Sequence, residues 1–317
     1  MLFLSEEEVK DLLNIKDYIQ WVEEAYQADG LGEAFMFPRQ NLKLPEGHSY
    51  KILSGALPFA GVIGTLCYSG GYPRHTSPFE CRKMLTLFSA ESGEPIACIE
   101  AEYLSWFRTG ATAGVAARHL ALPEIECVAI LGSGRIARST LMALCSVREV
   151  KEARVFSPTK EYRLEYAREM GRTLNIPVTP SETPQEAVKG AQVVATTTTN
   201  RQPVFFGSWW KPGALIIGLG SHDPDRRELD GLTMSTADLI VVDHREQALG
   251  EEGEIIMARQ EGLLSHADEP ITLGEVVAGK HKGRRSPDDK IVLLSGGIAL
   301  EYITVGWHLY KKKRGIP

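Results

Sequence analysis

The stretch "IIGLGSHDPDRREL" runs from Ile216 to Leu229 and changes character at one point. The apolar run Ala214 to Leu219 stops at Gly220, and Ser221, His222, Asp223, Pro224, Arg226, Arg227 and Glu228 follow. A strand that ends in glycine and then delivers titratable side chains has the form of a site built at a strand end. Of these groups, the imidazole of His222 is the one suited to giving or taking a proton near neutral pH. The alternative is a histidine that only hydrogen-bonds a ligand or the backbone.

A second stretch, "CVAILGSGRIARSTLMAL", begins at Cys127. Gly132-Ser133-Gly134-Arg135-Ile136-Ala137 reads G-x-G-x-x-A between an apolar strand and an amphipathic helix. Gly132 permits the tight turn, Gly134 lets a pyrophosphate approach the backbone, and Ala137 lets helix and strand pack closely. The free N–H groups of the helix start favour phosphate. The following strand, "EARVFSP", ends in Ser157 with Thr159, Lys160 and Arg163 beyond it. A site for the plain ribose hydroxyl usually carries Asp or Glu there. Ser157, Thr159, Lys160 and Arg163 instead suit a 2′-phosphate, with Glu161 pointing outward, so NADP(H) is preferred and NAD(H) remains possible. The alternative is an N-cap and a solvated helix face.

These groups need a scaffold. Strands are expected at 126–131, 152–156, 176–179, 192–197, 213–219 and 238–242, and another, "KIVLLSG", starts at Lys290. Helices are expected at 134–147, 160–174, 183–189, 244–260 and 298–313. Such alternation implies a doubly wound parallel sheet with helices on both faces. Before it, Ser5 with Glu8 makes a capping box, and Asn14 caps a second helix. From Leu42 to Ala101 the pattern is of short strands, "YKILSGAL", "GVIGTLCY", "MLTLFSA" and "PIACIEA", with a hairpin turn at Glu91–Glu94. This half reads as antiparallel, and the helical stretch 103–120 follows it.

Bulk properties narrow the function classes. The chain has 317 residues, 43% hydrophobic and 24% charged, enough for two domains with cores of their own. A net charge of −6 argues against nucleic acid as a partner. The one basic run, Lys311 to Arg314, is a solvated tail suited to a helix C-terminus. No apolar run reaches the roughly 18 residues of a membrane span. The start "MLFLSEEEVKDL" lacks the basic region of a signal peptide. Cys67, Cys81, Cys98, Cys127 and Cys145 are odd in number and dispersed, as in reduced thiols of a cytoplasmic protein. No cluster has zinc spacing, so no metal is expected.

Several blocks together resemble one family. They are Pro38-Arg39, "FRTGATAGVAARHL", "AILGSGRIA", "GSWWKPGALIIGLGSHDPDRREL", "VVD" at 241–243 and "SGGIALEY" at 295–302. In that order they resemble the ornithine cyclodeaminase/mu-crystallin family of NAD(P)-dependent proteins. The resemblance implies a Rossmann domain, 116–295, inserted in a mostly antiparallel α+β substrate-binding and dimerisation domain, 1–115 plus 296–317. It implies a homodimer and a small amino, imino or keto acid bound beside the nicotinamide. Arg39 and Arg108 would hold the substrate carboxylate, as guanidinium does bidentately. Thr198 would lie near the nicotinamide ribose. Gly220, Ser221, Arg226 and Ser295 would also belong to the cofactor site.

The sequence departs from the family's cyclodeaminases in instructive places. Their aspartate falls on His222 and the lysine four residues later on Arg226. No lysine occurs from 52 to 82, where the substrate-binding lysine would lie. Tyr302 stands where an aspartate is common. The expectation is an NAD(P)H-dependent reductase of a small α-imino acid, reversibly an amino-acid dehydrogenase, with His222 managing the proton. The alternatives are an ammonia-releasing cyclodeaminase and a non-catalytic NADPH-dependent binding protein. Trp106, Tyr68, Tyr72, His75 and Phe79 are candidates to line the substrate pocket.

Overall fold

The computed structural model describes residues 1–12, 14–70, 83–220 and 222–316, with only the backbone at Glu46. Its two compact units are Met1–Arg108 with Gly297–Pro317, and Thr109–Gly296. The chain begins with β1 (Leu2–Leu4), α1 (Glu6–Asp11) and α2 (Ile15–Leu31). Next come β2 (Phe35–Met36), β3 (Gln40–Lys43), β4 (Ser49–Leu57), β5 (Val62–Gly70), β6 (Lys83–Ser89) and β7 (Pro95–Glu100). Then α3 (Glu102–Leu120) crosses the division between the units.

The second unit contains β8 (Ile125–Leu131), α4 (Arg135–Val147), β9 (Val150–Phe156), α5 (Lys160–Leu174), β10 (Val178–Pro180), α6 (Pro184–Val188) and β11 (Val193–Thr196). It continues with β12 (Leu215–Gly218), α7 (Gly231–Ser235), β13 (Leu239–Val242), α8 (Arg245–Glu251) and α9 (Gly253–Gln260). It ends with β14 (Ile271–Thr272), α10 (Leu273–Val277) and β15 (Ile291–Leu294), after which α11 (Ala299–Arg314) belongs to the first unit.

In the first unit the expected capping box forms. Ser5 Oγ accepts from Glu8 N, and Ser5 N donates to Glu8 Oε2 at 3.1 Å. Asn14 Oδ1 accepts from Lys16 N at 3.0 Å and caps α2. The sheet order is β1-β7-β6-β5-β4-β2, with β3 also on β4. Its pairings are antiparallel except β1 on β7, which is parallel. That edge strand is only three residues long, too short to show a period in sequence. The expected hairpin turn closes where Ser89 N donates to Glu94 O at 2.9 Å. α11 packs on α2 and across β4, β5 and β6.

The second unit's sheet has the order β10-β9-β8-β11-β12-β15-β13-β14, and every pairing is parallel. From β8 the chain steps outward to β9 and β10, then returns to β11 on the other side. The turn after β8 therefore lies at a topological switch point, where open parallel sheets bind ligands. Residues such as Leu131, Val194, Ile216, Phe205, Leu229, Val242 and Leu294 are buried together in the core. Each large side chain so removed from water stabilises by roughly 1.5–3 kcal/mol.

The single helix expected at 244–260 is instead two, α8 and α9, with the break at Glu252. There the backbone runs against the 223–226 turn. A Cβ on Gly253 would lie 1.8 Å from the Arg226 carbonyl oxygen. The short α7 and α10 escape a periodicity reading, but both are capped locally, α7 by Asp230 and α10 by Thr272 with Glu275.

Candidate functional site

All strands of the second unit's sheet run the same way, so their carboxyl ends share one edge. Gly132 opens that edge after β8 with φ +120°, outside the range of ordinary L residues. A Cβ there would also meet Thr197 Oγ1 at 2.4 Å. Gly134 is the N-cap of α4 with no side-chain cap bond, and the space beyond its missing Cβ is open. Uncapped first-turn amides beside open space fit a dinucleotide's pyrophosphate. Ser133 and Ile136 are half-buried, Ala137 is buried, and Arg135 is exposed on the first turn. Arg138 braces the loop, donating from Nη1 to Ser133 O at 2.6 Å and pairing with Glu169.

After β9, Ser157 is buried, while Thr159 and Lys160 are exposed and Glu161 points outward as expected. Arg163 is turned inward. Its guanidinium donates to Ser157 O at 3.1 Å and pairs with Glu182, so it stiffens the 157–159 loop rather than presenting an open cation.

Further along the edge, Ser295 is buried and donates from Oγ to Asp243 Oδ2 at 3.2 Å, while its amide bonds Gly218 O at 3.0 Å. Thr198 and Gly220 follow β11 and β12. Their amides donate to the same side chain, Glu228, at 2.6 and 2.8 Å. Ser221 lies outside the described residues. His222 is half-buried two residues beyond Gly220. Arg226 closes the turn, its amide bonding Asp223 O at 3.0 Å and its Nε 4.0 Å from Asp223 Oδ2.

Beneath these strand ends lie two buried carboxyl groups. Glu228 N donates to Glu254 Oε1 at 2.7 Å. Burial pushes the Glu228 carboxyl above its ordinary range, against the pull of the donors from Thr198, Thr196 and Gly220. Burial, with the Glu228 charge adding to it, pushes Glu254 up to about 7.

The first unit brings two of the expected residues together. Arg39 Nη2 donates to Gly297 O at 2.8 Å. Arg108 lies against the same residue, where a Cβ would stand 2.2 Å from Nη1 and φ is +89°. Arg108 Nη1 pairs with the fully buried Glu301 at 2.9 Å, and Nη2 donates to Tyr302 Oη at 2.8 Å. Glu301 also accepts from Tyr26 Oη at 2.9 Å and from Ile298 N at 3.0 Å. Burial disfavours the Arg108 cation, but Tyr302 and Glu301 together outweigh it and raise its pKa. Burial likewise opposes the Tyr302 phenolate, yet Arg108 and Lys83 hold the phenol below its ordinary value.

Lys83, just beyond the lysine-free span 52–82, is a cation that the sequence reading did not single out. It stands opposite Tyr68 in the β5–β6 register, and Lys51 stands opposite Tyr68 on β4. Lys83 Nζ donates to Ser105 Oγ at 2.9 Å, and Ser105 Oγ lies 3.1 Å from Tyr302 Oη. Strand pairing was the signal that could have found it. Trp106 is half-buried on α3; Tyr72, His75 and Phe79 lie outside the described residues. Among the described residues no group of three or more His, Cys, Asp or Glu side chains could hold a metal ion. The described helices include none long and apolar enough to cross a membrane.

The chain matches the family model "Ornithine cyclodeaminase/mu-crystallin family" over residues 1–315. It is 32% identical over 235 residues to a Δ(1)-pyrroline-2-carboxylate reductase of Bacillus cereus, covering 74% of this chain and 72% of that one. Its fold matches the Thermococcus litoralis Δ(1)-pyrroline-2-carboxylate reductase in complex with NADH and L-proline, with TM-score 0.92, 29% identity, and 100% and 99% of the two chains covered. An archaeal alanine dehydrogenase dimer with bound NAD matches with TM-score 0.91 and 30% identity over 100% and 97%. Matched over almost its whole length and alike in fold to reductases and a dehydrogenase of amino and imino acids, the chain belongs to the ornithine cyclodeaminase/mu-crystallin family.

Proposed function

We propose that this protein is an NAD(P)H-dependent reductase of a small α-imino acid, with Δ(1)-pyrroline-2-carboxylate the first candidate, and reversibly an amino-acid dehydrogenase. The observation that carries the reading is the open, uncapped Gly132–Ala137 loop at the switch point of an all-parallel sheet. When bound there, the nicotinamide supplies the hydride that reduces the imine carbon. Gly132, Ser133, Gly134, Arg135, Ile136 and Ala137 hold the pyrophosphate, and Thr198, Gly220, Ser221, Arg226 and Ser295 hold the nicotinamide half. His222 delivers the proton to the imine nitrogen. Arg39 and Arg108 bind the substrate carboxylate.

NADP(H) is the preferred cofactor, because Ser157, Thr159 and Lys160 follow β9 with no carboxylate to repel a 2′-phosphate, and Arg163 braces that loop. NAD(H), bound in the Thermococcus and archaeal relatives, is accepted more weakly. We also infer a homodimer formed through the first unit, and a cytoplasmic setting; the alanine dehydrogenase relative is itself a dimer.

The test is turnover of Δ(1)-pyrroline-2-carboxylate, and of pyruvate with ammonia, with NADPH or NADH, followed at the nicotinamide absorbance. Oxidation of the nucleotide in step with substrate is expected. Ammonia release from ornithine without net nucleotide change would make the protein a lyase. Nucleotide binding with no turnover of any imine would make it a binding protein.

A further inference from the structure

We propose that Glu228 is a positioning residue of the nicotinamide site: its carboxylate ties the end of β11 to the end of β12 and thereby fixes the backbone that carries His222. The inference rests on the reading that a dinucleotide binds at this strand edge. The ladder between β11 and β12 stops at Thr196 opposite Gly218. Beyond it, the Thr198 and Gly220 amides have no ladder partner, and an amide withdrawn from water without an acceptor is costly.

Glu228 supplies both acceptors. Oε1 takes Thr198 N at 2.6 Å, and Oε2 takes Gly220 N at 2.8 Å and Thr196 Oγ1 at 2.7 Å. The side chain is completely buried, and its own backbone is held on both sides. Its carbonyl accepts from Val204 and Phe205, and its amide donates to Glu254. The contact leaves no slack: a Cβ on Gly220 would lie 2.1 Å from Thr198 O and 2.6 Å from Glu228 Cδ.

Position makes this tie more than scaffold. Thr197, next to Thr198, packs on Gly132 of the glycine loop, and Gly220 leads two residues later to His222. Glu228 thus joins the segment beside the phosphate loop to the segment bearing the proton donor, without reaching ligand itself. Each carboxyl oxygen of Glu228 accepts from a backbone amide, Oε1 from Thr198 and Oε2 from Gly220, and a backbone N–H can only donate. An amide in its place would turn an N–H group toward another donor and break one tie.

The experiment compares the parent with Glu228→Gln for binding of NADPH and NADH, and of ADP-ribose and its 2′-phosphate, which lack nicotinamide. Steady-state kinetics on Δ(1)-pyrroline-2-carboxylate and circular dichroism accompany it. The expected result is affinity for the complete dinucleotides about tenfold weaker. Affinity for the fragments stays unchanged, and kcat falls by more than KM rises. Equal losses for dinucleotide and fragment, or no loss at all, overturn the proposal. If the variant does not fold, Thr196→Val removes one of the carboxylate's donors and carries the test. A loss of about threefold confined to nicotinamide-bearing ligands is then expected, and no selective loss overturns the proposal. A parent that binds neither NADPH nor NADH would bring down the dinucleotide reading and this proposal together. A parent that binds them beside an unaffected variant brings down the proposal alone.

Discussion

At the scale of single residues, the two ends of the proposed chemistry separate cleanly. His222 is half-buried after β12, and its removal takes away the proposed proton donor without opening the core. His222→Ala is expected to lower kcat by about 10²–10⁴-fold with little change in cofactor affinity. Turnover at the parent rate would reduce the histidine to scaffold. Arg108 is a different case, because the cation proposed to bind the substrate already pairs with Glu301. Arg108→Ala should raise KM for a carboxylate substrate and also destabilise the fold by about 3–5 kcal/mol, since Glu301 is left buried and uncompensated. Adding Glu301→Gln should recover much of the lost thermal stability and none of the KM. Recovery of both would show that Arg108 acts only by holding Glu301.

At the scale of elements, the site depends on how strands end. The β8–α4 turn works because Gly132 adopts φ +120° against Thr197. Gly132→Ala combines backbone strain with a clash, so loss of detectable NADPH binding by titration calorimetry and a lower Tm are expected. Retained affinity would mean that the pyrophosphate is held elsewhere. The break between α8 and α9 belongs to the same edge, for it lets Gly253 meet the Arg226 carbonyl and seats Glu254 beneath Glu228. A continuous helix at 244–260 could not bring that carboxyl there.

For the whole molecule, the buried Glu254 links stability to pH. Its value is about 7 in the folded protein against an ordinary 4.5, so the folded state keeps a proton that the unfolded chain has released. The stability contributed by this group is complete below about pH 4.5, declines as pH rises between the two values, and is gone above about pH 7. Each unit of pKa difference is worth about 1.4 kcal/mol. Glu254→Gln should remove this decline, gaining on the parent in denaturant midpoint from pH 5 to pH 7. The parent-minus-variant difference cancels carboxylates such as Glu275 and Asp289, whose values move downward. A constant difference across that range would refute the linkage. Assembly is the other whole-molecule property. Phe35, Phe37, Leu42 and Phe59 of the first unit are all at least half exposed, and a dimer through this unit would cover apolar side chains of this kind. Sedimentation should give twice the chain mass at micromolar concentration, and a monomer would contradict the dimer.

Features that depend on near neighbours along the chain are legible without the fold. The glycine spacing at 132–134, the capping box at Ser5, the alternation after Cys127 and the antiparallel strands between Leu42 and Ala101 all follow from short-range periods and turn chemistry, and the structure carries them. Which distant groups meet is settled when the elements pack together. Glu228 looked like one charge in a polar cluster until it met Thr198, 30 residues away. Glu301 reaches Arg108 across 193 residues. Lys83 meets Tyr68 through strand register and Ser105 on α3, and Arg163 turns inward because Glu182 and the Ser157 carbonyl take its donors. Hydrophobic period and turn propensity report where a strand runs and stops. The partner of a buried charge is chosen by the elements folded around it, and no local pattern encodes that choice.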